Sequence, residues 1–312
     1  MVTSIWEDLK REFSHGSILT RLIIINASVF VIINLVKIFM SIGGIRDNYI
    51  YFRRFFCISS DLWHDLTHPW VFLTHMFLHD GFWHILWNML FLYWFGRIVS
   101  DLIGDRKILG IYILGGLAGV LAFLFATIVL QYPSGGPFYA LGASGAVMAI
   151  VVASGTLSPD YSMRLLFIGD VKLKYIVMVL VFLDLIAIAD DVNTGGHFAH
   201  LGGAFFGWIF ITRLRQGHDY STPVNNFFDR ANDFFRNLFA KKSSKKRRRP
   251  RVVYRNTKIK NGGKGQAYAV SDEEDLSHQE QLDAILDKIK KTGYDSLSSE
   301  EKEFLFNASK KK

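Results

Sequence analysis

The chain has 312 residues, of which 50% are hydrophobic, 15% aromatic and 21% charged. That is too apolar and too unevenly charged for an ordinary soluble domain, and the formal net charge of +8 owes much to one tract, KKSSKKRRRPR at 241–251. A single cysteine, Cys57, excludes an intramolecular disulfide and any multi-cysteine metal cluster, and makes redox chemistry improbable.

In chain order, a polar, mixed-charge start at 1–18 precedes six apolar segments at about 19–39, 82–96, 108–130, 140–157, 175–189 and 198–212. Several fall short of the roughly 20 residues that a lipid-facing helix needs, but a helix shielded by protein crosses in fewer. The expectation is an all-α fold, a polytopic membrane bundle of six transmembrane helices over 19–214. No small-residue cleavage site follows the first segment, which reads as an uncleaved signal-anchor.

Loop charge sets the orientation. Arg97, Arg106 and Lys107 fall between the second and third segments, and Arg164, Lys172 and Lys174 between the fourth and fifth. The stretches QYPSGGPFYA and DDVNTGG, on the other side, carry no Lys or Arg. Basic short loops stay inside, so both termini are expected in the cytoplasm, and the expected location is a bacterial cytoplasmic (inner) membrane. The first loop, 41–81, then lies outside, with Arg46, Arg53 and Arg54 against the rule and enough Trp and Phe for a folded piece at the interface.

After the sixth segment, 215–260 combines an amphipathic helix with the basic juxtamembrane tract. PVNNFFDRANDFFRNLFA opens at Pro223 and sets Phe227, Phe228, Ala231, Phe234, Phe235 and Leu238 on one stripe. Beside the basic tract, that stripe is expected to lie on the inner surface, with anionic lipid as partner and no nucleic acid. A flexible linker over 261–275 leads to a cytoplasmic helical hairpin at 276–312, whose helices open at the capping boxes Ser277/Glu280 and Ser298/Glu301, the first stopping at Gly293. A hairpin this small buries little core alone, which suits a cytoplasmic partner.

Four polar features stand inside or at the ends of these segments, where ionisable groups are expensive enough to suggest function. In ALGASGAVMAIVVASG, Ser144 opens the fourth segment; a helix beginning near Gly142 would aim free N–H groups at an oxyanion there, although small residues also serve tight packing. The serine lacks the Gly-x-Ser-x-Gly elbow, having Ala146 at the last position. In HFAHLGGAFFGW, His200 shares a helix face with Gly203 and Gly207, so a partner helix can approach it closely; periodicity does not say which helix. His197, nearer the loop, reads as exposed or structural. In HDGFWHILWNML, His84 and Asn88 lie four apart on one face and both can donate hydrogen bonds; a polar clasp between helices is the plainer role. The set His75, His79, His84, His197 and His200 lacks a His-Glu-x-x-His pattern and nearby carboxylates, so neither a metal nor another cofactor is expected. Asp184, the carboxylate well inside the membrane part, is a candidate to orient His200, but no spacing places it there and a solvated position toward the outer end is the expectation.

Together, Gly142-Ala143-Ser144-Gly145, Ala199-His200 with Gly203 and Gly207, and His84 with Asn88, on six segments with a long first loop, resemble the rhomboid intramembrane serine proteases. The resemblance covers about 19–214. It implies a dyad of Ser144 as nucleophile and His200 as general base, with no carboxylate required, and an oxyanion site from the Ser144 N–H with His84 and Asn88. It implies cleavage of transmembrane segments of membrane proteins near the outer face. Met148 departs from the family, in which an aromatic often packs on the histidine ring; a thioether can also pack there. The rival readings are a catalytically silent rhomboid-like protein that binds transmembrane helices and a transporter, the latter weakened by the lack of paired interrupted segments.

Overall fold

The computed structural model describes residues 4–131, 137–166, 168–190, 193–239 and 272–310. The chain divides into two units, Met1–Ser243 and Ser244–Lys312.

In the first unit α1 (Ile5–His15) leads into α2 (Ile18–Ile42). The start of α2 is capped twice: Ser17 Oγ accepts from the Thr20 N–H at 3.0 Å, and the Asp105 carboxylate accepts from Ile18 N–H at 2.6 Å. Orphan N–H groups at a helix start need such acceptors. The 25 residues of α2 rise about 37 Å, and Val31, Ile32, Leu35, Ile38 and Phe39 are exposed along it. Its inner face holds Asn26, fully buried, whose Nδ2 donates to Tyr112 Oη at 3.2 Å, while that hydroxyl donates to the Met76 carbonyl at 3.0 Å.

The first loop is folded, as expected. It contains α3 (Tyr49–Arg54), β1 (Ile58–Ser59), α4 (Leu62–Thr67) and α5 (Val71–Thr74). Strand β1 pairs antiparallel with β2 (Tyr139–Ala140), Ile58 opposite Ala140 and Ser59 opposite Tyr139. The segment that enters the fourth helix is thereby tied to the first loop.

The helical body comprises α6 (Phe82–Ile103), α7 (Arg106–Leu124, continuing as a wider π-helical turn to Val129), α8 (Ser144–Leu157), α9 (Leu173–Ala187) and α10 (Thr194–Arg215), with the hairpin β3 (Ser162–Leu165) and β4 (Gly169–Lys172) between α8 and α9. By length and composition, Ile18–Ile42 and Arg106–Val129 are long and apolar enough to cross a membrane, each with a hydropathy of 2.4. The core gathers on α8, where Gly145–Gly155 are all buried. Glycine makes this possible: a Cβ added at Gly203 would stand 1.9 Å from the Gly145 carbonyl oxygen, and one at Gly207 2.1 Å from that of Ala149. Backbone therefore lies on backbone between α10 and α8, and α7 joins at Gly115, where an added Cβ would be 2.2 Å from Ala149 Cβ.

Some boundaries differ from those read in the sequence. Helix α6 runs on to Ile103, so Arg97 is a helical residue, 3.5 Å from Asp101 one turn later, and not part of a loop. Helix α8 begins at Ser144 and not near Gly142, whose φ of +125° is incompatible with a helix. The amphipathic helix is α11 (Ser221–Phe239), two residues ahead of Pro223. Its stripe divides: Phe227, Phe234, Phe235 and Leu238 are exposed, while Phe228 packs with Val224 on the core. The start of α11 is fixed by Asp219, which accepts from the Ser221 N–H at 2.9 Å and from the hydroxyls of Ser221 and Thr222 at 2.6 Å each, and pairs with Lys107. The basic tract at 241–251 lies outside the described residues, as does most of the expected linker.

In the second unit α12 (Asp272–Thr292) and α13 (Ser299–Lys310) form the expected hairpin. The first helix starts at Asp272, so Ser277 lies within it and not at its cap; the acidic run DEED suits a helix N-terminus. The second box forms, Glu301 N–H donating to Ser298 Oγ at 3.2 Å and Ser298 N–H to Glu301 Oε2 at 2.8 Å. Gly293 follows α12 at φ +83°, and Lys288 pairs with Glu301 at 2.8 Å across the turn.

Two outcomes follow. Gly207→Val should melt well below wild type in detergent, since overpacking costs about 1–3 kcal/mol even where side chains can give, and here the neighbour is backbone; an unchanged melting temperature would mean the helices do not meet there. Burial raises the Asp219 carboxyl, but Lys107 and the hydroxyls of Ser221 and Thr222 outweigh it and hold the group well below the usual carboxylate range. Its contribution is therefore complete above the unfolded value near 4 and fades as pH falls below it. Asp219→Asn should be the less stable protein at neutral pH, with the gap closing on acidification; a gap independent of pH would contradict this.

Candidate active site

Ser144 is the first residue of α8, preceded by Ala143 at φ −71°, ψ −9° and by Gly142 in a backbone conformation that only glycine adopts freely. The approach is pinned, because the Gly142 N–H donates to the His75 carbonyl at 2.8 Å. The N–H groups of the first turn of α8 have no partner within their own helix and point back toward the Ser144 end.

His84 stands in the first turn of α6. A Cβ added at Gly142 would lie 3.0 Å from His84 Nε2 and 3.5 Å from Ser144 Oγ, so imidazole and hydroxyl flank one point over the glycine. One turn further, Asn88 is 7% exposed, and its Nδ2 donates to the His84 carbonyl at 2.8 Å. His200, in the second turn of α10, arrives through the glycine contact with α8 and lines the same space. A cavity of about 230 Å³ is bordered by Asn88, Ser144, Met148, Asp184 and His200. A second, of about 610 Å³, is bordered by His84, Asn88, Ser144, Asn193 and His200. Ser144, Asn88 and His200 thus face both spaces. Among the described residues Ser144 Oγ makes no side-chain hydrogen bond and is free to meet a ligand.

The histidines do not gather as one set. His75 is buried, with Nδ1 bonded to the Val71 carbonyl at 2.8 Å, which makes it part of the loop scaffold. His79, also buried, meets the His84 ring edge-on at a centroid distance of 5.0 Å. The convergence that the sequence did not reveal involves Asp184. Far from being solvated, it is 9% exposed, and its Oδ1 is shared by His200 Nδ1 and His197 Nδ1, each at 2.8 Å. His197 is accordingly partly buried and bonded. Among the described residues these three are the side chains whose metal-ligating atoms converge, all within 4.8 Å of one another; two imidazole N–H donors already satisfy the shared oxygen without an ion. The available signal for Asp184 was its isolation, one carboxylate in VLVFLDLIAIA, but the fifteen residues between it and His200 hide its partner.

A family model described as the rhomboid domain matches residues 66–217, the span from the end of α4 through α10. The chain belongs to the rhomboid family. A second model, a family of unknown function (DUF6576), matches 272–311, the α12–α13 hairpin of this rhomboid protein. Similar proteins include RHOMBOID-like protein 12, mitochondrial, of Arabidopsis thaliana, 29% identical over 68% of this chain and 62% of its own length. Rhomboid protease GluP of Bacillus subtilis (strain 168) is 31% identical over 44% of this chain and 25% of its own. The human presenilin-associated rhomboid-like protein, mitochondrial, is 28% identical over 47% and 38%. The chain therefore spans less than two thirds of each of these relatives. Of the three, the Bacillus protein alone is named a protease. Rhomboid proteins are membrane-integral, which accords with the two long apolar helices and with the exposed apolar face of α2.

Gly142→Ala should be destabilised by about 1–2 kcal/mol from its positive φ, and the new methyl should displace His84. Thermal unfolding measures the first effect; a wild-type melting temperature would contradict the backbone assigned to this turn.

Proposed function

We propose that this rhomboid protein is an intramembrane serine endopeptidase in which Ser144 is the nucleophile and His200 the general base. The observation that carries the reading is the convergence of Ser144, Asn88 and His200 on the same cavities at the free N-terminal turn of α8. Ser144 Oγ attacks a peptide carbonyl while His200 takes the hydroxyl proton; His200 then returns that proton to the leaving amine, and water enters to release the acyl group by the same steps in reverse. Negative charge on the carbonyl oxygen is met by the Ser144 N–H with His84 and Asn88. Met148, one turn after the serine, packs along the same cavity.

On this reading α2, α6, α7, α8, α9 and α10 are six transmembrane helices, with both termini cytoplasmic and the membrane a bacterial inner membrane. Helix α8, of 14 residues, rises only about 21 Å, against about 30 Å of hydrocarbon, so its N-terminal end sits below the outer surface and within reach of water from above. The substrate is a transmembrane segment cut near the outer face, where helix-weakening residues would help free its backbone. The exposed phenylalanines of α11, beside the basic tract at 241–251, suit anionic lipid at the inner face, and the α12–α13 hairpin suits a cytoplasmic partner.

A silent relative that binds helices without cutting them is the second reading, and the lack of a Ser144–His200 hydrogen bond is the observation in its favour. Such contacts often tighten only in the substrate complex. The test is cleavage of a single-span reporter in reconstituted vesicles. Wild type should cut it; Ser144→Ala and His200→Ala should give no product, and Asn88→Ala a rate lower by about 10²-fold, the loss of one oxyanion donor. Equal rates for wild type and Ser144→Ala would overturn the proposal.

A further inference from the structure

We infer that Asp184 is a positioning residue for the base, so that this protein works through Asp184, His200 and Ser144 and not through serine and histidine alone. The inference rests on the proposed reading of Ser144 and His200 and adds to it a group on a third helix.

Asp184 sits in α9 among Phe182, Leu183, Leu185 and Ile186, all of which are exposed, while its own side chain is 11% exposed. A carboxylate withdrawn from water in apolar surroundings is costly unless hydrogen-bonded. Here it is held by two N–H donors from α10, and the two imidazoles are not equivalent. His200 borders two of the cavities that Ser144 borders, whereas His197 borders neither of those two. With Nδ1 of His200 donating to Asp184 at 2.8 Å, the ring proton resides on Nδ1 and the lone pair on Nε2. That tautomer leaves Nε2 as the basic nitrogen, on the far side of the ring from Asp184. The wrong tautomer would offer an N–H where a base is needed.

The carboxylate has a second effect. When His200 takes the serine proton it becomes an imidazolium, and a negative charge 2.8 Å from Nδ1 stabilises it without itself being protonated. No bond to Asp184 forms or breaks in the reaction. His197, three residues earlier on the same face of α10, donates to the same Oδ1 and holds the carboxylate from the other side. It orients Asp184 and carries no proton in the reaction.

A purely structural clasp between α9 and α10 makes the same contacts, so the test must separate rate from stability. Full-length protein in detergent is reacted with a fluorophosphonate that labels activated serines, and the second-order rate constant is measured alongside the melting temperature. Asp184→Asn, nearly isosteric, should react roughly 10- to 10³-fold more slowly than wild type with a melting temperature within a few degrees. Asp184→Glu, which restores the charge, should recover part of that loss. Asp184→Asn labelled at the wild-type rate would overturn the inference and leave the serine–histidine reading standing. So would a slow Asp184→Asn whose melting temperature falls in step and which Glu does not rescue. If Ser144→Ala were labelled as fast as wild type, the underlying reading would fail and this inference with it.

Discussion

Everything at the candidate site depends on how closely α10 can approach α8. Both helices present small residues where they meet, so the closeness of their packing contacts decides how near they come. Gly203 and Gly207 bring the α10 backbone against the carbonyls of Gly145 and Ala149, at places where even a single added Cβ would overlap those oxygens. One turn before Gly203, the same helix carries His200. The close approach therefore brings the imidazole to the Ser144 end of α8, and a bulkier residue at either glycine would push it away.

A second constraint acts at the other side of the serine. Gly142 turns the chain at φ +125°, and His75 holds that turn through its carbonyl, so α8 begins at Ser144 with its free N–H groups clustered there. The pairing of β1 with β2 anchors the preceding residues to the first loop. The loop thus acts as a bracket for the helix start. His84 and Asn88 reach the same point from α6. Three helices and one loop each supply a part, and none of the parts is reactive alone.

Much of this was legible from spacing. The positions of the apolar segments, the shared face of His200, Gly203 and Gly207, and the pair His84 and Asn88 all follow from helical periodicity, which is a local property. The end of α6 was not legible, because Arg97 and Asp101 look like loop residues until they are seen to pair one turn apart on a helix. The start of α12 differs from the reading because the capping pattern at Ser277 falls inside a helix that begins at Asp272. Asp184 was misjudged for a deeper reason. Its burial depends on how α9 rotates against α10, and rotation about a helix axis is fixed by packing with a neighbour that sequence spacing does not identify. The β1–β2 pairing, spanning eighty residues, is hidden in the same way.

The most direct measurement is to locate the reactive residue without reference to any substrate. Wild-type protein treated with a fluorophosphonate, digested and mapped by mass spectrometry should carry one adduct, on the peptide containing Ser144, and the adduct should be missing when His200 is replaced by alanine. An adduct on another serine, or none on a protein that remains folded, would contradict the claim that the packing of α10 on α8 assembles a nucleophile and its base.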